Sequence, residues 1–159
     1  MKILVDTREQ RPFAFSGCRH YEGVTLEAAP LMVGDYSLPG LTDKIAVERK
    51  ELPDLVQCLA RERDRFEREL ARARGLEAFM VVVEASFADL TTGAYRSRLN
   101  PHAAAQSVLA FQNRYRAPFF FAGSRPLAEY AAWSFLRQYL LDWQKRAKAV
   151  EKSLKESAA

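Results

Sequence analysis

Apolar and polar positions fall in short blocks over the first fifty residues, then switch to a helical period. The run KILVD, Lys2 to Asp6, is a short apolar strand ending in an acid. A polar stretch bearing Pro and Gly, Thr7 to Gly23, predicts a long loop. A second strand is expected at Val24 to Ala29, a turn at Gly34, an extended segment at Asp35 to Leu38, another turn at Pro39-Gly40, and a strand at Lys44 to Arg49. Leu52, Leu55, Val56, Leu59, Phe66 and Leu70 recur at helical spacing, with Pro53 in the first turn and Gly75 as the stop, which predicts one helix. FMVVVEA, Phe79 to Ala85, suits a central strand covered on both faces. After a polar loop, Asn100-Pro101 opens a helix running to about Tyr115. Pro118 to Gly123 predicts another buried strand, and Ser124 to about Ala149 a last long helix.

Strands, then strands alternating with helices, define an α/β fold with a central mixed β-sheet flanked by helices. With 159 residues and 48% hydrophobic content the chain fits one domain, residues 2–149, followed by a solvated charged tail, 150–159. No apolar run approaches the roughly 20 residues needed to cross a bilayer, and no basic-then-apolar leader pattern opens the chain. A soluble, cytoplasmic protein without a membrane partner is expected. Cys18 and Cys58, with two histidines, support neither a zinc site nor a disulfide framework. The formal charge of +4 is a mild bias towards polyanions.

Charge placement changes the picture more than total charge. In the strand Lys44 to Lys50, period-two geometry projects Glu48 and Lys50 from one face and Ile45, Val47 and Arg49 from the other. Taken alone, Glu-x-Lys reads as an exposed ion pair worth well under about 1 kcal/mol. Apolar neighbours, with Asp35 on the adjoining extended segment and Asp6 at the end of the first strand, could instead gather three acids and a lysine at one end of the sheet. Such a set suits phosphodiester hydrolysis. Two or three carboxylates suffice to hold Mg²⁺ against a phosphate, and a lysine beside it orients or helps to deprotonate the attacking water.

The series Gly34-Asp35, Glu48-Arg49-Lys50 and Asp54 resembles the Gly-Asp, spacer, Glu-Arg-Lys-x-x-x-Asp signature of the XPF family of structure-specific DNA endonucleases. VDTRE, Val5 to Glu9, and DRF, Asp64 to Phe66, are similar to flanking family segments, so the resemblance spans roughly Lys2 to Trp143. It implies a restriction-endonuclease-like α/β core and Mg²⁺ or Mn²⁺ as cofactor. Asp35 and Glu48 would be the principal metal ligands, with Asp6 near the same cation and Lys50 the catalytic lysine. Arg8, Glu9, Arg49 and Asp54 match supporting positions; for Asp54, a carboxylate favoured by the helix dipole is an equally good account. The implied substrates are branched DNAs such as flaps, forks and junctions, cut in repair or recombination, with the protein working at the nucleoid if prokaryotic. Family members commonly dimerise and often carry a tandem helix-hairpin-helix module. This chain lacks that module, so a homodimer or a separate DNA-binding partner is expected.

Beyond the signature, the mixed-sign stretch Arg61 to Arg74 reads as a solvated helix face with interleaved acids. Tyr95, Arg96 and Arg98, in a loop without nearby acids, are better candidates for DNA contact. The surplus of aromatic residues on the last helix would suit a dimer interface. A noncatalytic DNA-binding or scaffold subunit of a nuclease complex is the alternative, ranked lower because the acid and lysine positions are all kept. Neither a Gly-x-Gly-x-x-Gly nor a Walker-type loop is present, which disfavours a nucleotide-binding enzyme.

Overall fold

The computed structural model describes residues 1–157. Strand β1 (Lys2–Asp6) pairs in parallel with β2 (Thr25–Ala29) and antiparallel with β3 (Tyr36–Ser37). β3 joins antiparallel to β4 (Ile45–Lys50), to which β5 (Ala78–Val83) and β6 (Phe119–Phe121) add in parallel, giving the mixed order β2-β1-β3-β4-β5-β6. The expected mixed sheet is therefore present, and Val81, Val82 and Val83 at its centre are wholly buried.

Side-chain alternation divides the core into two layers. Ala46, Phe79, Val81 and Val83 pack against α1 (Leu52–Leu59), α2 (Arg63–Ala73), α3 (Phe87–Thr92) and α4 (Pro101–Tyr115). Ile45, Val47, Met80 and Val82 pack instead against α5 (Arg125–Ser157) and against Phe13, Phe15 and Tyr21 of the β1–β2 connection. The same parity sends Glu48 and Lys50 towards α1–α4 and Arg49 to the opposite face.

Four elements differ from the sequence expectation. The helix expected from Leu52 to Gly75 is two helices, broken at Ala60–Glu62. Leu59 and Phe66 are seven residues apart, two full turns, so the apolar period runs through a break that no Pro or Gly marks. The polar loop after β5 contains α3, which has a reciprocal capping box: Asp89 N donates to Ser86 Oγ at 3.1 Å, and Ser86 N donates to Asp89 Oδ2 at 2.8 Å. β6 is an edge strand rather than a fully buried one, and Phe120 is 49% exposed. α5 continues to Ser157; from Gln144 on its residues are exposed and helical, and the last two residues of the expected tail lie outside the described residues. Among the described residues, no helix is long and apolar enough to cross a membrane.

Candidate active site

A glycine sets the position of the first acid. Gly34 has φ +73°, and a Cβ there would lie 2.9 Å from both Ala46 Cβ and Val47 O, so only glycine lets the chain turn this tightly against β4. The next residue is thereby fixed from three sides. Asp35 N donates to Val47 O at 2.8 Å, Asp35 O accepts from Asp6 N at 2.8 Å, and Asp35 Oδ2 accepts from Arg49 N at 2.7 Å.

Glu48 is buried and Lys50, adjacent on the same face of β4, is partly so, and Lys50 Nζ donates to Glu48 Oε1. Lys50 Nζ also stands 5.5 Å from the Phe66 ring centroid, over its face. Glu48 Oε2 is buried without a hydrogen-bond partner, alone in this among the side chains of the described residues. An ionised carboxylate oxygen left so calls for a proton or a cation.

Electrostatics say the same. Burial first, and then the charge of Glu48, push the Asp35 carboxyl up to about 8. Burial and Glu48 likewise push Glu69, on α2, up to about 7. A proton on Glu69 would hydrogen-bond to Glu48; without it Glu48 meets the charge of Asp35 and of Glu69 beside the one Lys50 ammonium. Burial alone would lower Lys50, but the Glu48 charge outweighs it and holds the ammonium above its ordinary range.

A second set of charges braces this end of the sheet. Arg49 Nε and Nη2 grip Glu9 at 2.9 and 3.1 Å, while Nη1 donates to Glu84 at 2.8 Å and to Glu51 at 3.3 Å. Arg125 at the start of α5 completes the chain, donating to Glu84 at 2.7 Å and to the carbonyls of Arg11 and Pro12. Glu9, Arg49 and Glu84 are nearly solvent-free, which makes the network costly to break at any one member.

Asp6 is buried, but its carboxylate is already engaged. Arg8 Nε and Nη2 donate to its two oxygens at 2.8 and 3.0 Å, and Leu31 N adds 2.8 Å. Burial would raise its pKa; the Arg8 and backbone hydrogen bonds overcome that and hold it below the ordinary value. Asp54 is exposed in the first turn of α1.

A cleft of about 470 Å³ opens beside Asp35 and Lys50. Arg8, Arg11 and Arg65 are on its rim, with Glu9, Asp35, Arg49, Lys50, Glu51 and Asp54 in its lining. All expected supporting residues thus adjoin one cavity. Tyr95, Arg96 and Arg98 do not: they line a different cleft, between α1 and the α3–α4 loop. Glu69, Glu84 and Arg125 were not singled out from the sequence. Glu69 belongs to the charged stretch expected to be solvated, yet it sits between Phe66 and Leu70, both wholly buried, which turns it towards Glu48 on β4. That spacing is the signal sequence reasoning could have used.

Could these residues hold a divalent cation? Among the described residues, no three His, Cys, Asp or Glu side chains converge into a preassembled metal cluster. Mg²⁺ nevertheless needs only one or two carboxylates, because it keeps most of its waters. Asp35 and the partnerless Oε2 of Glu48 fit that requirement, with Glu69 as a third candidate. Asp6 fits only by exchanging its Arg8 contacts.

A mixed six-stranded sheet flanked by helices, with paired acids and a lysine at one strand end, defines the chain as a restriction-endonuclease-like α/β domain. Among solved structures, XPF from Aeropyrum pernix matches with a TM-score of 0.67 at 22% identity, over 96% of this chain and 73% of that one. The same protein in complex with DNA matches with a TM-score of 0.67 at 23% identity, over 89% of this chain and 66% of that one. Comparison with curated proteins gives no match. The ERCC4 domain model matches residues 5–133, and the chain belongs to that family, the nuclease domain of the XPF family.

Proposed function

We propose that the chain is a metal-dependent endonuclease that cuts branched or distorted DNA, such as flaps, forks or junctions, in repair or recombination. The observation that carries the metal-dependent part is the buried, partnerless Oε2 of Glu48 beside Asp35. In this reading Asp35 and Glu48, with Glu69, hold Mg²⁺ or Mn²⁺. Once bound, such a cation supplies charge stabilisation for the phosphate and the leaving oxygen.

The chain's own groups do the rest. Water attacks phosphorus and gives a proton to a carboxylate of the cluster, and the P–O ester bond breaks, its oxygen leaving as an alkoxide that takes a proton from solvent. Lys50, held as an ammonium by Glu48, orients the attacked phosphate and offsets its growing negative charge rather than acting as the base. Arg8, Arg11 and Arg65 on the cleft rim exchange their partners Asp6, Glu51 and Glu62 for the flanking phosphates, while Glu9, Arg49 and Glu84 keep β4 rigid beneath them.

The test is cleavage of labelled duplex, single-strand, 3′-flap, fork and four-way-junction DNAs with Mg²⁺ or Mn²⁺. Metal-dependent cutting of a branched substrate is expected, with loss of at least about a hundredfold in Asp35→Ala and Lys50→Ala. Binding of the same DNAs without any cutting would favour a noncatalytic scaffold instead.

A second copy is the proposed partner. Phe120, Leu127 and Tyr130 are 49%, 56% and 43% exposed and sit together around a groove of about 470 Å³ between β6 and α5, at the free edge of the sheet. Pairing of two such edges would bury these three side chains. Sedimentation should find a dimer in the wild type and a monomer in Phe120→Asp; a monomeric wild type contradicts it.

A further inference from the structure

A second cleft lies apart from the one lined by Asp35 and Lys50. It measures about 760 Å³ and lies between the outer face of α1 and the loop joining α3 to α4. One wall is Pro53, Val56, Gln57 and Ala60, which share a helical face at spacings of three and four. The opposite wall is the loop from Ala94 to Leu99.

Two chemistries meet in it. Val56, Leu99 and the Tyr95 ring supply an apolar floor, and Tyr95 is fixed by its hydroxyl, which donates to Leu99 O at 3.1 Å. Arg61, Arg96 and Arg98 supply the rim. All three are exposed and without an ion-pair partner among the described residues, and no acid lines the cleft. Arg63 and Arg65 on the neighbouring helix, by contrast, are paired with Glu67 and Glu62. A cavity that is apolar below and cationic above, with no carboxylate to neutralise it, suits a ligand carrying a flat apolar face and an anion on one unit. A nucleotide is such a ligand.

Its position narrows the choice. Pro53 lines this cleft while Asp54, the next residue, lines the catalytic cleft, so the first turn of α1 is the partition between them. Arg61 and Arg65 stand in the same relation across the α1–α2 break. A strand leaving the catalytic cleft over that turn arrives here. A base within a duplex is stacked and paired and cannot reach the floor; an unpaired one can.

We propose that this cleft binds one unpaired nucleotide of the DNA strand next to the cut site. The base lies against Tyr95, Val56 and Leu99, and its phosphate is held by Arg61, Arg96 and Arg98. The inference rests on the nuclease reading for the identity of the ligand, and it makes the α3–α4 loop the element that selects substrates with a single-stranded branch.

The experiment is anisotropy of labelled thymidine oligomers with the full chain in EDTA, where no cutting intervenes. One set of oligomers carries a single abasic site moved stepwise along the strand. In the wild type, one abasic position should weaken binding by about fivefold or more. Arg96→Ala/Arg98→Ala should weaken the unmodified oligomer by at least about tenfold and make the log K against log salt slope shallower by about 1.4. Both arginines are on the surface, so the variant keeps its fold, which circular dichroism verifies. An abasic series that is flat at every position, or a double variant that binds as the wild type does, overturns the proposal; the former leaves phosphate tracking alone. Failure of the two readings is separable. Absent cleavage with an intact abasic signature removes the nuclease and keeps the cleft, and cleavage with a flat series does the reverse.

Discussion

At the residue scale, the site is a balance between one lysine and three carboxyls. Asp35 and Glu69 are pushed up to about 8 and about 7 from ordinary values of 3.8 and 4.5, so the folded chain holds their protons more tightly than the unfolded chain does. As pH rises from about 4 the unfolded chain releases these protons first. Stability of the metal-free protein should therefore fall between about pH 4 and pH 8 and level off once the folded groups also ionise. Asp35→Asn removes the group with the widest window and should make this fall shallower, leaving the variant the more stable of the two near pH 8. Thermal melts in EDTA across that range check this; parallel curves for the two proteins would contradict it. Glu48 and Lys50 were legible as a same-face pair from period two alone. The pairing of Arg49 with Glu9 and Glu84 was not, because nothing in a string with 24 basic residues says which carboxylate each will meet.

At the element scale, the site depends on how β3 approaches β4. Gly34 permits the turn, and the Asp35–Val47 and Asp6–Asp35 backbone bonds tie three strands together at the point where the acids emerge. Gly34→Ala places a methyl 2.9 Å from a backbone oxygen in a conformation that L-residues avoid. It should cost more than about 2 kcal/mol in a denaturant unfolding series and displace Asp35, weakening metal uptake as well. Unchanged unfolding midpoints would show that the turn has room to relax. The α1–α2 break was hidden in the sequence for the opposite reason. Apolar spacing across it remains helical, and only packing determines that Phe66 comes under Lys50 and Glu69 faces Glu48. The capping box at Ser86 and Asp89 was readable, since Ser-x-x-Asp ahead of Leu90 and Gly93 is a short helix in outline.

At the scale of the whole molecule, the parity of β4 separates charges between the two faces of the sheet. Glu48 and Lys50 lie under α1–α4, and the bracing arginine network lies under α5, which also carries Leu127 and Tyr130 of the surface proposed for self-association. The α/β class and the mixed sheet followed from the alternation of blocks. The second cleft did not, because its walls come from segments some forty residues apart whose docking is set by the core. Binding of a divalent cation by Asp35 and Glu48 is the central claim, and Mn²⁺ titration followed by the paramagnetic resonance of the free ion tests it most directly. The account predicts uptake by the wild type and at least about a tenfold loss of affinity in both Asp35→Asn and Glu48→Gln. Equal Mn²⁺ uptake by the wild type and the two variants would contradict it.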